Sequence, residues 1–104
     1  MVYQATRVTI IAERLLEQRI TDIINKAGAS GYTILDGSGK GQHGRHMTKG
    51  AAVINSFSIL KIEFVILDRD IALSVADEVE QTCFNNYSGI VYLSNVEIIR
   101  KERF

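Results

Sequence analysis

Twice along this chain the spacing of apolar residues changes from every second position to every third or fourth, and then back. Residues 6–12, TRVTIIA, set Val8, Ile10 and Ala12 against Thr9 and Ile11, the alternation of a strand. From Glu13 the period lengthens. Leu16, Ile20, Ile23, Ile24 and Ala27 recur at helical spacing, with Glu17, Arg19, Asp22 and Lys26 on the outward side. Gly28 follows as a helix stop, and residues 31–36, GYTILD, predict a second strand. Phe57 to Leu67 predicts a long third strand, with Leu60, Ile62, Phe64 and Ile66 on one face. Its other face carries Ile59, Lys61, Glu63, Val65 and Leu67. Asp68 or Asp70 can cap a second helix whose stripe is Ala72, Val75, Ala76, Val79 and Cys83. Residues 85–89, NNYSG, form a turn cluster, Ile90 to Ile99 predicts the last strand, and RKERF is a charged tail.

The order β-α-β-β-α-β is that of the ferredoxin-like double split motif, an α+β sandwich with two helices on one face of an antiparallel sheet. Two helices cover only that face. The other keeps Ile11, Val65 and one apolar set from the last strand, and exposed apolar area of this kind marks an interface. An oligomer built on the sheet is therefore expected. With 104 residues the chain reads as a single domain, residues 1–104. Lys plus Arg balances Asp plus Glu, 12 against 12, which argues against a nucleic-acid partner. No apolar run approaches the roughly 20 residues of a membrane span, and no signal-peptide pattern opens the chain. The lone Cys83 fits a reducing cytoplasm and an inert core thiol. With His43 and His46 it is too sparse for a structural zinc site, so no metal is expected.

Between the second and third strands lies GSGKGQHGRHMTKGAAVINS, residues 37–56. It carries Gly37, Gly39, Gly41, Gly44 and Gly50 with Lys40, Arg45 and Lys49, and no acid follows until Glu63. Unopposed cations and free backbone N–H groups favour an anion, most simply a phosphate. A loop of this length in a small domain is functional or disordered, and it is expected to be flexible and to change order with ligand. The plain alternative is a solvated excursion. For Arg45, Lys49, His43 and His46 singly, a solvated side chain stands level with a ligand contact. Residues 39–44 satisfy G-x-G-x-x-G, but no helix follows, so a dinucleotide fingerprint is excluded, and no Gly-Lys-Ser/Thr closes a Walker loop. Tyr32, Tyr87 and Tyr92 are expected to pack rather than to stack on bases.

The same order, with Gly31-Tyr32-Thr33, Gly39-Lys40-Gly41, a long loop and KIEFVILD at 61–68, closely resembles the PII signalling superfamily. GYTILDGSGKG and FNNYSGIVYL, at 84–93, are most similar to its PII-like branch, which contains SbtB and the carboxysome-associated PII proteins. The resemblance implies a homotrimer with an adenine nucleotide in each cleft between subunits. It also implies that the middle loop, the T-loop of that family, contacts a partner such as a membrane transporter or a carboxysome-linked protein. By position, Thr33, Glu63 and Val65 would lie beside the adenine base, and Gly39, Lys40, Gly41 and Gln42 would form the loop base over the phosphates. Arg45 would be a further phosphate ligand, Gly89 and Ile90 would stand in the turn facing the phosphates, and Arg100 and Arg103 would reach across from the neighbouring subunit.

Three departures refine this. Ile90 stands where nitrogen-sensing members carry a phosphate-gripping lysine, the loop has no tyrosine to modify, and the cysteine-bracketed C-terminal extension of many SbtB proteins is missing. The implied ligands are AMP or ADP rather than ATP, with bicarbonate beside them, and no cofactor. The implied role is regulation of inorganic-carbon uptake or carboxysome-linked metabolism. Alternatives are a cyclic-AMP-responsive regulator of a bicarbonate transporter and a ferredoxin-like small-ligand or metal module. An enzyme is not expected. The first strand runs into Glu13-Arg14-Leu15 without the glycine-rich cradle of an acylphosphatase, and no nucleophile–base pair stands out.

Overall fold

The computed structural model describes residues 1–38 and 58–103. Strand β1 spans Tyr3–Glu13, a 3-10 turn Arg14–Leu16 leads into α1, Glu17–Lys26, and β2 spans Thr33–Ser38. Strand β3 spans Ser58–Ile66, α2 Arg69–Cys83 and β4 Gly89–Ile98, followed by a 3-10 turn at Lys101–Arg103. The four strands form one antiparallel sheet in the order β2-β3-β1-β4. This is the expected ferredoxin-like arrangement: β3 lies between β1 and β2, and β1 between β3 and β4.

The sheet register follows from the alternation in the sequence. Ile34, Ile62, Ile10 and Val91 stand side by side across the four strands on the helix-facing side. Val8, Ile10, Ala12, Leu60, Ile62, Phe64 and Ile66 pack there against Leu16, Ile20, Ile23 and Ile24 of the first helical segment. From α2, Ala72, Val75, Ala76, Val79 and Cys83 are buried, the five positions of its apolar stripe. Burying each of the larger chains stabilises the domain by about 1.5–3 kcal/mol.

The helix ends are built as local chemistry requires. Asp68 Oδ1 accepts the N–H of Asp70 at 2.9 Å and of Ile71 at 3.3 Å, so Asp68 is the N-cap of α2. Gly28, at φ 87°, ends α1: its N–H donates to the Asn25 carbonyl and that of Ala29 to the Ile24 carbonyl. This pair of bonds is a Schellman closure, which needs a left-handed residue at that position.

Several boundaries differ from the sequence reading: β2 starts at Thr33 rather than Gly31, β3 ends at Ile66 rather than Leu67 and β4 at Ile98 rather than Ile99. Strand β1 starts at Tyr3 rather than Thr6, because its ladder with β4 runs from Tyr3 opposite Ile98 to Ala12 opposite Gly89. Glu13 is the last strand residue, not the start of a helix; it pairs with Ile59, and α1 begins four residues later. Gly37 and Ser38 belong to β2, opposite Ile59 and Ser58, rather than to the loop. Strand β4 starts one residue early, at Gly89. No helix among the described residues is long and apolar enough to cross a membrane.

Candidate functional site

The open face of the sheet, opposite the helices, carries the residues the sequence singled out. Thr33, Glu63, Thr9 and Tyr92 form one row across β2, β3, β1 and β4, and Leu35, Lys61, Ile11 and Ile90 form the next. Val65 lies on this face opposite Arg7, which is opposite Ser94. Thr33 and Ile90 are exposed, and Glu63 and Val65 are half-buried.

Glu63 is not a free surface charge. Its Oε2 accepts the Thr9 hydroxyl at 3.2 Å and lies 3.5 Å from Arg7 Nε. The Arg7 contact is an ion pair without hydrogen-bond geometry, since Arg7 Nε is buried with no hydrogen-bond partner, as is Ser94 Oγ. With both side chains partly in solvent the pair is worth about 1 kcal/mol or less. Its effect is orientation. Thr9, 1% exposed, holds the carboxylate across the middle of the open face. A second ion pair, Arg14 to Asp36 at 2.8 Å, ties the 3-10 turn after β1 to β2 just before its last residues.

One end of the sheet gathers three features. The C-terminal ends of β1 and β2 and the N-terminal ends of β3 and β4 all lie there, as the pairs Ser38–Ser58, Glu13–Ile59 and Ala12–Gly89 require. The loop between β2 and β3 therefore springs from the same end of the sheet as the turn before β4. Gly39, Lys40, Gly41, Gln42 and Arg45 lie outside the described residues, as does most of the 37–56 loop. Gly89 has its own packing reason: an added Cβ would overlap the Phe84 ring. Glu13, at this end, accepts the Ser88 N–H at 2.6 Å and is 5% exposed.

Arg100 and the backbone of Arg103 lie beyond the opposite end of β4, where Tyr3 pairs with Ile98 and Lys101 Nζ sits 5.3 Å from the Tyr3 ring centroid. Ten strand residues separate the two ends, about 30 Å. Within one chain the structure brings Thr33, Glu63, Val65 and Ile90 onto one face with Gly89 at its end, and it does not bring Arg100 or Arg103 to them.

Tyr32, Tyr87 and Tyr92 are 38%, 39% and 42% exposed, so the expected packing role is not filled within the single chain. A groove of about 540 Å³ among the described residues runs along α2 beside Asp70, Leu73, Asp77 and Glu80, away from the open face. It lacks the convergent donors that an anion needs. Among the described residues no cluster of three His, Cys, Asp or Glu could hold a metal.

Sequence reasoning missed Glu13, Arg7 and Thr9. The signal for Glu13 was parity: it continues the series Thr9, Ile11 by one step, which a strand reading would have kept on the open face.

The sequence profile of the nitrogen regulatory protein P-II family matches residues 5–103. The chain belongs to that family. This P-II family chain is a PII-like signalling protein, and its likeness to solved structures runs along its whole length. It is similar to a proposed PII-like signaling protein from Thermus thermophilus, at 28% identity over 99% of this chain and 97% of the other, with a TM-score of 0.80. It is also similar to CPII from Thiomonas intermedia solved with ADP and bicarbonate, at 28% identity over 100% and 97% of the two chains and a TM-score of 0.79. CPII with ADP, AMP and acetate aligns at 26% identity over 100% and 97%, with a TM-score of 0.75. The PII-like resemblance read from GYTILDGSGKG and FNNYSGIVYL agrees with these matches.

Proposed function

We propose that this chain is an adenine-nucleotide sensor that takes ADP or AMP, together with bicarbonate, in clefts between the subunits of a homotrimer. In this reading Thr33, Glu63 and Val65 face the base. Lys40, Arg45 and the backbone of Gly39, Gly41, Gln42, Gly89 and Ile90 face the phosphates. Arg100 and Arg103 come from the neighbouring copy. The observation that carries the reading is the separation along β4. In this reading residues assigned to one anionic ligand stand at opposite ends of a strand about 30 Å long, which supports a cleft completed by a second copy.

The open face supports assembly. Ile11, Ile59, Val65 and Ile98 are half-buried there and Leu35 and Ile90 are exposed, an apolar area that water does not favour. The CPII relatives support the ligand, since they were solved with ADP and bicarbonate and with ADP, AMP and acetate. Anion binding by the cationic, acid-free loop provides the switch, because a ligand shifts a loop equilibrium only through different affinity for its two states. The output is a changed contact with a protein of carbon uptake or the carboxysome, made in the cytoplasm.

Isothermal titration with AMP, ADP, ATP and cyclic AMP, each with and without bicarbonate, tests the ligand, and sedimentation equilibrium on the same samples tests the trimer. Micromolar ADP or AMP binding that bicarbonate strengthens, on a trimer, is the expected result. A monomer that binds nucleotide with full affinity overturns the shared cleft, and a preference for cyclic AMP moves the chain to the transporter-regulator reading.

A further inference from the structure

Glu13 is the one acidic or basic side chain in the buried class among the described residues, and nothing said so far uses it. Its position is specific. The backbone ladder between β1 and β4 ends at Ala12 opposite Gly89, and the next contact is made by a side chain, Glu13 Oε2 receiving the Ser88 N–H at 2.6 Å. On its other edge the backbone of Glu13 pairs with Ile59, which is opposite Gly37 near the end of β2. Glu13 thus joins the turn before β4 to the strand ends from which the basic loop springs. From the other side the Phe84 ring closes over Gly89 so tightly that no Cβ fits.

A buried carboxylate needs donors, and a backbone N–H is a strong one for an anion. Left without that partner, the carboxylate would be an uncompensated negative charge next to the proposed phosphate end, where it would repel the ligand. Bonded to Ser88, its charge is engaged and the backbone of Ser88, Gly89 and Ile90 is fixed relative to the adjoining ends of β1 and β3. We propose that Glu13 is a positioning residue for nucleotide binding, holding the 85–89 turn in the form that receives the phosphates through its side-chain acceptor and its reach. The inference rests on the nucleotide reading above.

Reach and charge separate in two variants. Glu13→Gln keeps the length and an acceptor oxygen but loses the charge. Glu13→Asp keeps the charge but is one methylene too short to meet Ser88. ADP titration, with hydrogen exchange of the 85–90 segment on the free protein, reads both. Glu13→Gln is expected to bind ADP within roughly threefold of the unaltered chain and to leave exchange at Ser88 slow. Glu13→Asp is expected to lose roughly tenfold or more in affinity, as for a lost hydrogen bond to a charged group, with faster exchange confined to 85–90. Equal ADP affinity in Glu13→Asp and the unaltered chain overturns the positioning role alone. A loss in Glu13→Gln as large as that in Glu13→Asp also overturns it, because the acceptor would then not be what matters. If the unaltered chain binds no adenine nucleotide, the site reading and this inference fall together.

Discussion

Gly89 offers a perturbation whose size can be worked from the structure. An alanine there would drive its Cβ into the Phe84 ring, overlapping Cδ1, Cε1 and Cζ. The backbone itself is no obstacle, because Gly28 is the only described glycine with positive φ. The whole cost must therefore come from displacing the ring, which is half-buried and packed against the core cluster. Overpacking of this kind costs about 1–3 kcal/mol. In a Phe84→Ala background the clash disappears. Gly89→Ala should then be neutral or stabilising by about 0.4–1 kcal/mol, since alanine restricts the unfolded chain. The double-mutant cycle should give a coupling of about 1–3 kcal/mol. In thermal melts at one fixed protein concentration, each kcal/mol should appear as a shift of roughly 4–8 °C. Gly89→Ala costing the same with and without the Phe84 ring would refute the packing account and leave the glycine to a role in ligand approach.

The N-cap of α2 is open to a simpler test. Asp68→Ala removes the acceptor for two backbone N–H groups and should cost about 0.5–2 kcal/mol in chemical denaturation, while Asp68→Asn should cost a few tenths. Lys40→Ala and Arg45→Ala should each weaken ADP binding by about 1–3 kcal/mol, as charge-assisted phosphate contacts do. Unchanged titrations in both variants would remove the loop from the site.

Most of the fold was legible because its determinants are local. The parity of Val8, Ile10 and Ala12, the stripe from Ala72 to Cys83, the glycine after α1 and the aspartate before α2 each act within a few residues of the chain. What stayed hidden depends on partners far along the sequence. Glu13 looked like the first residue of a helix because its partner, Ser88, is 75 residues away. The surroundings of Glu63 stayed hidden too, because Arg7 and Thr9 come beside it only once β1 pairs with β3. The early start of β1 at Tyr3 was hidden because Gln4 interrupts its apolar pattern, and β4 supplies the pairing that extends it.

Strand β4 carries its two groups of candidate residues at opposite ends, and this has a genetic consequence under the shared-cleft reading. Lesions at the two ends belong to different clefts of the assembly. A chain damaged near Ile90 and a chain damaged at Arg100, co-expressed, would rebuild some intact clefts, each drawing its sound half from a different subunit. The same two lesions on one chain, expressed alone, would leave no sound half in any cleft. Defective alleles of this small protein would thus complement one another according to which end of one strand they strike, and a heterozygous mixture would keep a partial response where neither allele alone has one.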